Sequence, residues 1–234
     1  MADFNTHVFG AAAVVSLAAI CATKLLSLTM QEGVTIMIIG VIGGVLPDVD
    51  LKSSRASQAL FSVLGMFAAL FWLFASMTYF TGLELWFGTI AVFLLIRFPI
   101  AYAFHRLTTH RGVLHSLAAA IMAGMIACAL SWQYTQTNAL QCWLIGLSLT
   151  GGYVLHLILD EIYSVDFTGG RIRQSFGSAL KPLDMQRLPA SCLVVFITMG
   201  AAYLSAPYTE ALEELANRHT NWQALIIPAW LVVM

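Results

Sequence analysis

Charge is scarce in this chain. Of its 234 residues, 11 are Lys or Arg and 12 are Asp or Glu, together 10%, against about 25% in an ordinary soluble domain. Too little polar surface is available to cover a soluble fold, which excludes an ordinary soluble enzyme and a disordered chain. A net charge of −1 leaves no basic excess for nucleic acid. Cysteine is sparse as well. Cys21, Cys128, Cys142 and Cys192 lie apart in apolar stretches with no CxxC pair. That excludes a disulfide-stapled scaffold, a zinc ribbon and a redox motif, and predicts buried free thiols. Met1 to Thr6 contains Asp3 but no Lys or Arg, so the basic start of a secretory signal is missing. The apolar run that follows is expected to stay as a membrane helix.

What the chain does have is apolar length. Hydrophobic residues make up 59% and mean hydropathy is +0.82. A bilayer span needs roughly 20 mostly apolar residues. The sequence predicts an all-α, polytopic bundle of about seven spans within one integral membrane domain, residues 1–234. The predicted spans are 8–21, 29–46, 59–80, 85–104, 113–130, 139–159 and 188–204. The second is short and rich in glycine (Gly33, Gly40, Gly43 and Gly44), as suits close helix approach in lipid or a re-entrant half-helix. Residues 205–234 read as an interfacial amphipathic helix, with Leu212 and Leu215 among Glu210, Glu213 and Glu214, followed by a short apolar tail from Trp222.

Charge placement orients these spans. If all seven cross, one side receives Lys52, Arg55, Arg106, Arg111, Arg171, Arg173, Lys181 and Arg187. The other receives only Lys24 and Arg218. This bias predicts that the first side, with the N-terminus and the longer loop 160–187, is cytoplasmic. Arg97, beside Phe98 and Pro99, falls within the fourth span and is expected to snorkel toward that side.

The metal-capable residues follow the same map. His7 begins the first span; Asp48 and Asp50 follow the second; His105, His110 and His115 surround the entrance to the fifth; His156, Asp160 and Glu161 end the sixth. Five of six histidines therefore gather at one membrane face. His156 and Asp160 are four apart and share a helix face. Asp48 and Asp50 flank one residue on a turn opened by Pro47. Imidazoles mixed with carboxylates suit zinc, manganese or iron better than calcium or magnesium. Ionisable groups at membrane depth are costly and mark functional sites.

Four stretches carry a family resemblance: His7 with Gly10, Gly44 to Asp50 (GVLPDVD), His110 to Ser116 (HRGVLHS) and Gly152 to Asp160 (GYVLHLILD). Together with Gly177 to Asp184 they resemble, in order, the YdjM-like family, described as LexA-regulated, inner-membrane, metal-dependent hydrolases. Leu114 departs from the Thr that relatives often carry. The resemblance implies a metal site built from His7, Asp48, Asp50, His110, His115, His156 and Asp160. Seven candidates exceed one tetrahedral zinc, so either two ions sit together or some residues orient ligands and move protons.

The expectation is a cytoplasm-facing hydrolase in a bacterial inner membrane. His7, Asp48, His115, His156 and Asp160 are its metal ligands, and one or two divalent transition ions, zinc first and manganese second, its cofactor. Asp50 and His110 would handle protons. Arg111, Arg55 and Lys181 would neutralise an anionic substrate. Headgroup depth points to a membrane lipid or lipid-linked phosphate or ester as the partner. The rival readings are a divalent-metal or proton-coupled transporter and a non-catalytic lipid-binding protein.

Overall fold

A computed structural model describes residues 4–52, 54–107, 112–166, 171–172 and 180–218. The predicted apolar tail 222–234 lies outside them. The described elements run α1 (Phe4–Leu25), α2 (Met30–Gly43), a 3-10 turn (Leu46–Asp50), α3 (Arg55–Ser76), α4 (Gly82–Leu95), a π turn (Ile96–Ile100), α5 (Ala101–Leu107), α6 (Leu117–Tyr134), α7 (Ala139–Ile162), β1 (Val165–Asp166), β2 (Arg171–Ile172), α8 (Leu188–Leu204) and α9 (Tyr208–Asn217). The fold is helical, as predicted. Within the 160–187 loop, β1 and β2 form a minimal antiparallel hairpin, Val165 opposite Ile172 and Asp166 opposite Arg171.

Six of the described helical stretches are long and apolar enough to cross a membrane; α2 is a shorter apolar helix of 14 residues. At 1.5 Å per residue, 18 residues cover about 27 Å, close to the hydrocarbon thickness, whereas 14 cover about 21 Å. Large apolar side chains such as Phe67, Phe71, Phe87 and Phe196 stand exposed along these helices, an arrangement suited to lipid and not to water. The chain is an integral membrane protein. Several of its helices begin on polar caps. Thr29 and Glu32 form a capping box before α2, and Ser54, Ser116 and Asn138 each accept a backbone N–H three residues on.

The described residues divide into two compact units. One comprises the chain up to Pro47 and from His115 onward; the other is Asp48–Leu114. In the first unit α7 is central and packs against α1, α2, α6 and α9. Its buried stripe includes Cys142, Gly146, Leu149, Tyr153, His156 and Asp160, a helical repeat of three and four. The last two members turn this apolar stripe polar. Glycines let the neighbours close in. A Cβ on Gly152 would run into the backbone of Gly40 and Gly44, and one on Gly43 into the backbone of Leu149. The glycine-rich second segment is thus a packing seam against α7.

At the opposite end of α7, α9 is a latch within the same unit. The Glu214 carboxylate accepts the backbone N–H of Leu140 at 3.2 Å, and the Arg218 guanidinium donates to the Leu26 carbonyl at 3.1 Å. Cys128 and Cys142 are buried there beside Trp132 and Trp143. Cys192, by contrast, is exposed.

The second unit is the α3–α4 pair with the π turn and α5. Pro99 has no N–H to give, and its ring crowds the carbonyl four residues back. The helix opens by one residue, so the Ala101 N–H reaches the Ile96 carbonyl.

Candidate metal centre

Four helix ends of the first unit meet at one place. The first turn of α1 brings His7, the approach to α6 brings His115, the last turns of α7 bring His156 and Asp160, and the end of α2 brings the Gly44 carbonyl. His7, His115, His156 and Asp160 are each at most 1% exposed. This places three imidazoles and a carboxylate in a protein interior, where bare polar groups are costly.

The contacts order the set. His156 Nδ1–H donates to the Gly44 carbonyl at 2.9 Å, which fixes the tautomer with the lone pair on Nε2. Metal-ligating histidines are commonly held this way. The His7 and His156 rings stack with centroids 3.6 Å apart and planes within 12°. His7 Nε2 stands 3.4 Å from Asp160 Oδ1, and His115 Nε2 stands 3.8 Å from Asp160 Oδ2. The His115 and His156 rings meet edge to face at 5.8 Å.

These separations suit a divalent transition ion. Two ligand atoms on one tetrahedral zinc, at 2.0–2.1 Å each, lie about 3.3 Å apart. The His7–Asp160 distance matches that edge, and the His115–Asp160 distance is somewhat wider. One ligand atom from each of His7, His156 and Asp160 falls within 4.8 Å of the other two. Neither ring nitrogen of His7 has a hydrogen-bond partner among the described residues, although the ring is buried. A bound cation would satisfy it.

The sequence profile of the YdjM inner membrane protein family matches residues 1–233. The chain belongs to that family. No curated protein and no solved structure matches it. Membership agrees with the resemblance seen in the motifs, and the His/Asp cluster that the family motifs supply could hold a metal.

The remaining candidates divide between the two units. Asp48 and Asp50 sit on the 3-10 turn at the start of the second unit, both buried. Arg55 opens α3 in that unit and is exposed. His105 also belongs there: its Nδ1–H donates to the Asp50 carbonyl at 3.3 Å and its Nε2 accepts from the Ser57 hydroxyl at 2.9 Å. His110 and Arg111 lie outside the described residues.

Lys181 is part of the first unit, in a role its charge does not announce. Its carbonyl accepts the Leu117 N–H at 3.0 Å, and the Pro182 carbonyl accepts the Ala118 N–H at 3.1 Å. Those two N–H groups are orphans of the α6 start. Ser116 caps the same turn through Ala119, and the Lys181 ammonium pairs with Asp184 at 3.2 Å. The Lys181–Asp184 segment therefore holds the helix start that carries His115. Sequence reasoning overlooked this brace. Only Ser116, a cap-forming residue before an apolar run, signalled where α6 begins.

Proposed function

We propose that the protein is a membrane-embedded, metal-dependent hydrolase acting on a lipid-linked phosphate or another ester, with its His/Asp centre facing the cytoplasm. The observation that carries this reading is the convergence of three imidazoles and one carboxylate from helix ends. A transport path would instead be expected to place polar groups along the middle of several spans. Helix ends lie at headgroup depth, within reach of a lipid ester. The eight-to-two bias of basic residues in the loops supports a cytoplasmic face.

His7, His115, His156 and Asp160 would hold the ion, with zinc favoured over manganese by the donor set. A bound divalent ion supplies Lewis acidity and makes water more acidic, toward a pKa of ~7. The chain supplies the rest. The Gly44 carbonyl keeps His156 in one tautomer, and the two oxygens of Asp160 face different histidines. The Lys181–Asp184 brace fixes His115. His110 and Arg111, next to His115 in sequence, are the proposed proton carrier and anion partner.

The test is metal content and turnover measured together. Detergent-purified protein should retain one or two transition ions per chain and hydrolyse a lipid phosphate or ester. Chelation should stop turnover and metal should restore it. Unchanged turnover in His156→Ala/Asp160→Ala would defeat the proposal. Metal flux into proteoliposomes without hydrolysis would replace it with transport.

A further inference from the structure

The second unit contains a cavity of about 710 Å³, within the usual range for small-molecule sites. Its wall includes Lys52, Ser57, Phe61, Arg97, Tyr102 and His105, and none of the described residues lining it is acidic. Arg97 in the π turn and Ala101 and His105 on α5 all face the cavity. Ser57 and Phe61 face it from α3.

The hydrogen bonds decide which groups can meet a ligand's charge. Both ring nitrogens of His105 are engaged inside the unit, with Ser57 and with the Asp50 carbonyl. Lys52 and Arg97 remain. Their contacts are aromatic faces: Lys52 Nζ lies 5.7 Å from the Tyr102 ring centre and the Arg97 guanidinium 5.2 Å from that of Phe98. Among the described residues, neither has a carboxylate partner. Two cations sharing one cavity repel each other, and Arg97, half-buried in an apolar helix pair, gives up part of its hydration, whereas Lys52 is exposed. An anion that bridges them relieves both costs. Arginine and lysine together suit phosphate, the first through its planar fork and the second as a point charge. The remaining wall is largely apolar, with Phe61 and Phe98 beside the charges. That combination fits a phosphate attached to an apolar chain.

We propose that this cavity binds the phosphate group of an amphiphile through Lys52 and Arg97. The site does not depend on the His/Asp centre and needs no metal.

Full-length protein in maltoside micelles, which carry no phosphate, would be titrated with phosphatidic acid, with diacylglycerol of the same chains and with inorganic phosphate. Native mass spectrometry would read binding. Phosphatidic acid should bind saturably and diacylglycerol should not. Lys52→Gln/Arg97→Gln should weaken binding by about tenfold or more, as expected for lost charge-assisted hydrogen bonds. Lys52→Arg/Arg97→Lys should keep most of the affinity, and Lys24→Gln, in the other unit, should change nothing. Binding of inorganic phosphate that is lost in the Gln variant would support the same recognition with a soluble source. Equal binding of phosphatidic acid by wild type and a Gln variant that elutes and melts normally would overturn the proposal. So would failure of both phosphate probes to bind wild type. If the Gln variant does not fold, a photoreactive phosphatidic acid tests the wild type directly. Cross-links should fall within 52–61 or 97–106; labelling only elsewhere rejects the site.

Discussion

In the first unit, three imidazoles and a carboxylate are buried at helix ends, and their positions are set by main-chain groups: the Gly44 carbonyl for His156 and the Lys181 and Pro182 carbonyls for the helix start beside His115. In the second unit, two cations line an open volume, and the nearby imidazole is already satisfied by Ser57 and Asp50. One arrangement collects electron-pair donors and suits a cation. The other collects positive charge and suits an anion. Both use ionisable residues that a membrane protein otherwise avoids, so composition alone would group them together. Hydrogen-bond partners separate them.

The largest effect expected on this contrast comes from removing donors. His156→Ala/Asp160→Ala should lower retained metal by more than about tenfold, since loss of supporting groups alone commonly costs 10–100-fold. Phosphatidic acid binding at the second unit should be unchanged. Plasma mass spectrometry beside the lipid titration would check both. Loss of both properties together would mean that the variant had damaged the whole fold.

A smaller effect, now on stability, should follow from the glycine seam. Gly152→Val places side-chain atoms against the backbone of Gly40 and Gly44, which cannot turn aside as a side chain can. A cost of about 3 kcal/mol is expected from overpacking of this kind, with metal retention falling because Gly44 orients His156. Gly151→Ala is the matched control. A Cβ there meets nothing within 4 Å, so a helix-interior alanine should be neutral or stabilising by up to about 1 kcal/mol. Thermal unfolding in detergent would compare the two. Equal melting temperatures would remove the seam from the account of the centre.

Much of this architecture was legible in the sequence. Apolar length gave the spans, and α7 and α8 fall within three residues of the predicted ends. The i, i+4 spacing put His156 and Asp160 on one face, and alternation of spans brought His7 and His115 to the same end. Three things were not legible. His105 counted with the clustered histidines by chain position, yet its partners are Ser57 and Asp50, a tertiary choice that no spacing encodes. The Lys181–Asp184 segment reads as a charged loop, but its carbonyls do the work, and every residue has a carbonyl. The snorkelling expected of Arg97 carried no hint that, beside the widened turn at Pro99, it lines a cavity with Lys52. Pro99 signalled a disturbed helix, not the face that would result.

Ser116→Ala tests the brace at the next level down. It removes the hydroxyl that accepts the Ala119 N–H and should cost about 1 kcal/mol, the usual value for a lost N-cap. Metal should be retained less firmly, seen as faster loss to a chelator, because His115 immediately precedes the cap. An unchanged chelation rate would show that the Lys181 and Pro182 carbonyls hold the helix start without the hydroxyl.

The smallest expected effect separates the units most cleanly. Ser57→Ala deletes the hydroxyl that donates to His105 Nε2. Ser57 and His105 both line the cavity, so water there can replace part of the lost bond, and the stability cost should be about 1 kcal/mol or less. The imidazole then has an unmatched acceptor beside Lys52 and Arg97. That acceptor can take a hydrogen bond from one of the two cations and so compete with a ligand for it, which alters the cavity without touching the first unit. Phosphatidic acid affinity should therefore shift by about threefold or less, while metal retention stays at the wild-type level. A fall in retained metal in Ser57→Ala would show that the two sites are coupled, and the contrast between a donor-rich centre and a cationic cavity would have to be replaced by one polar network.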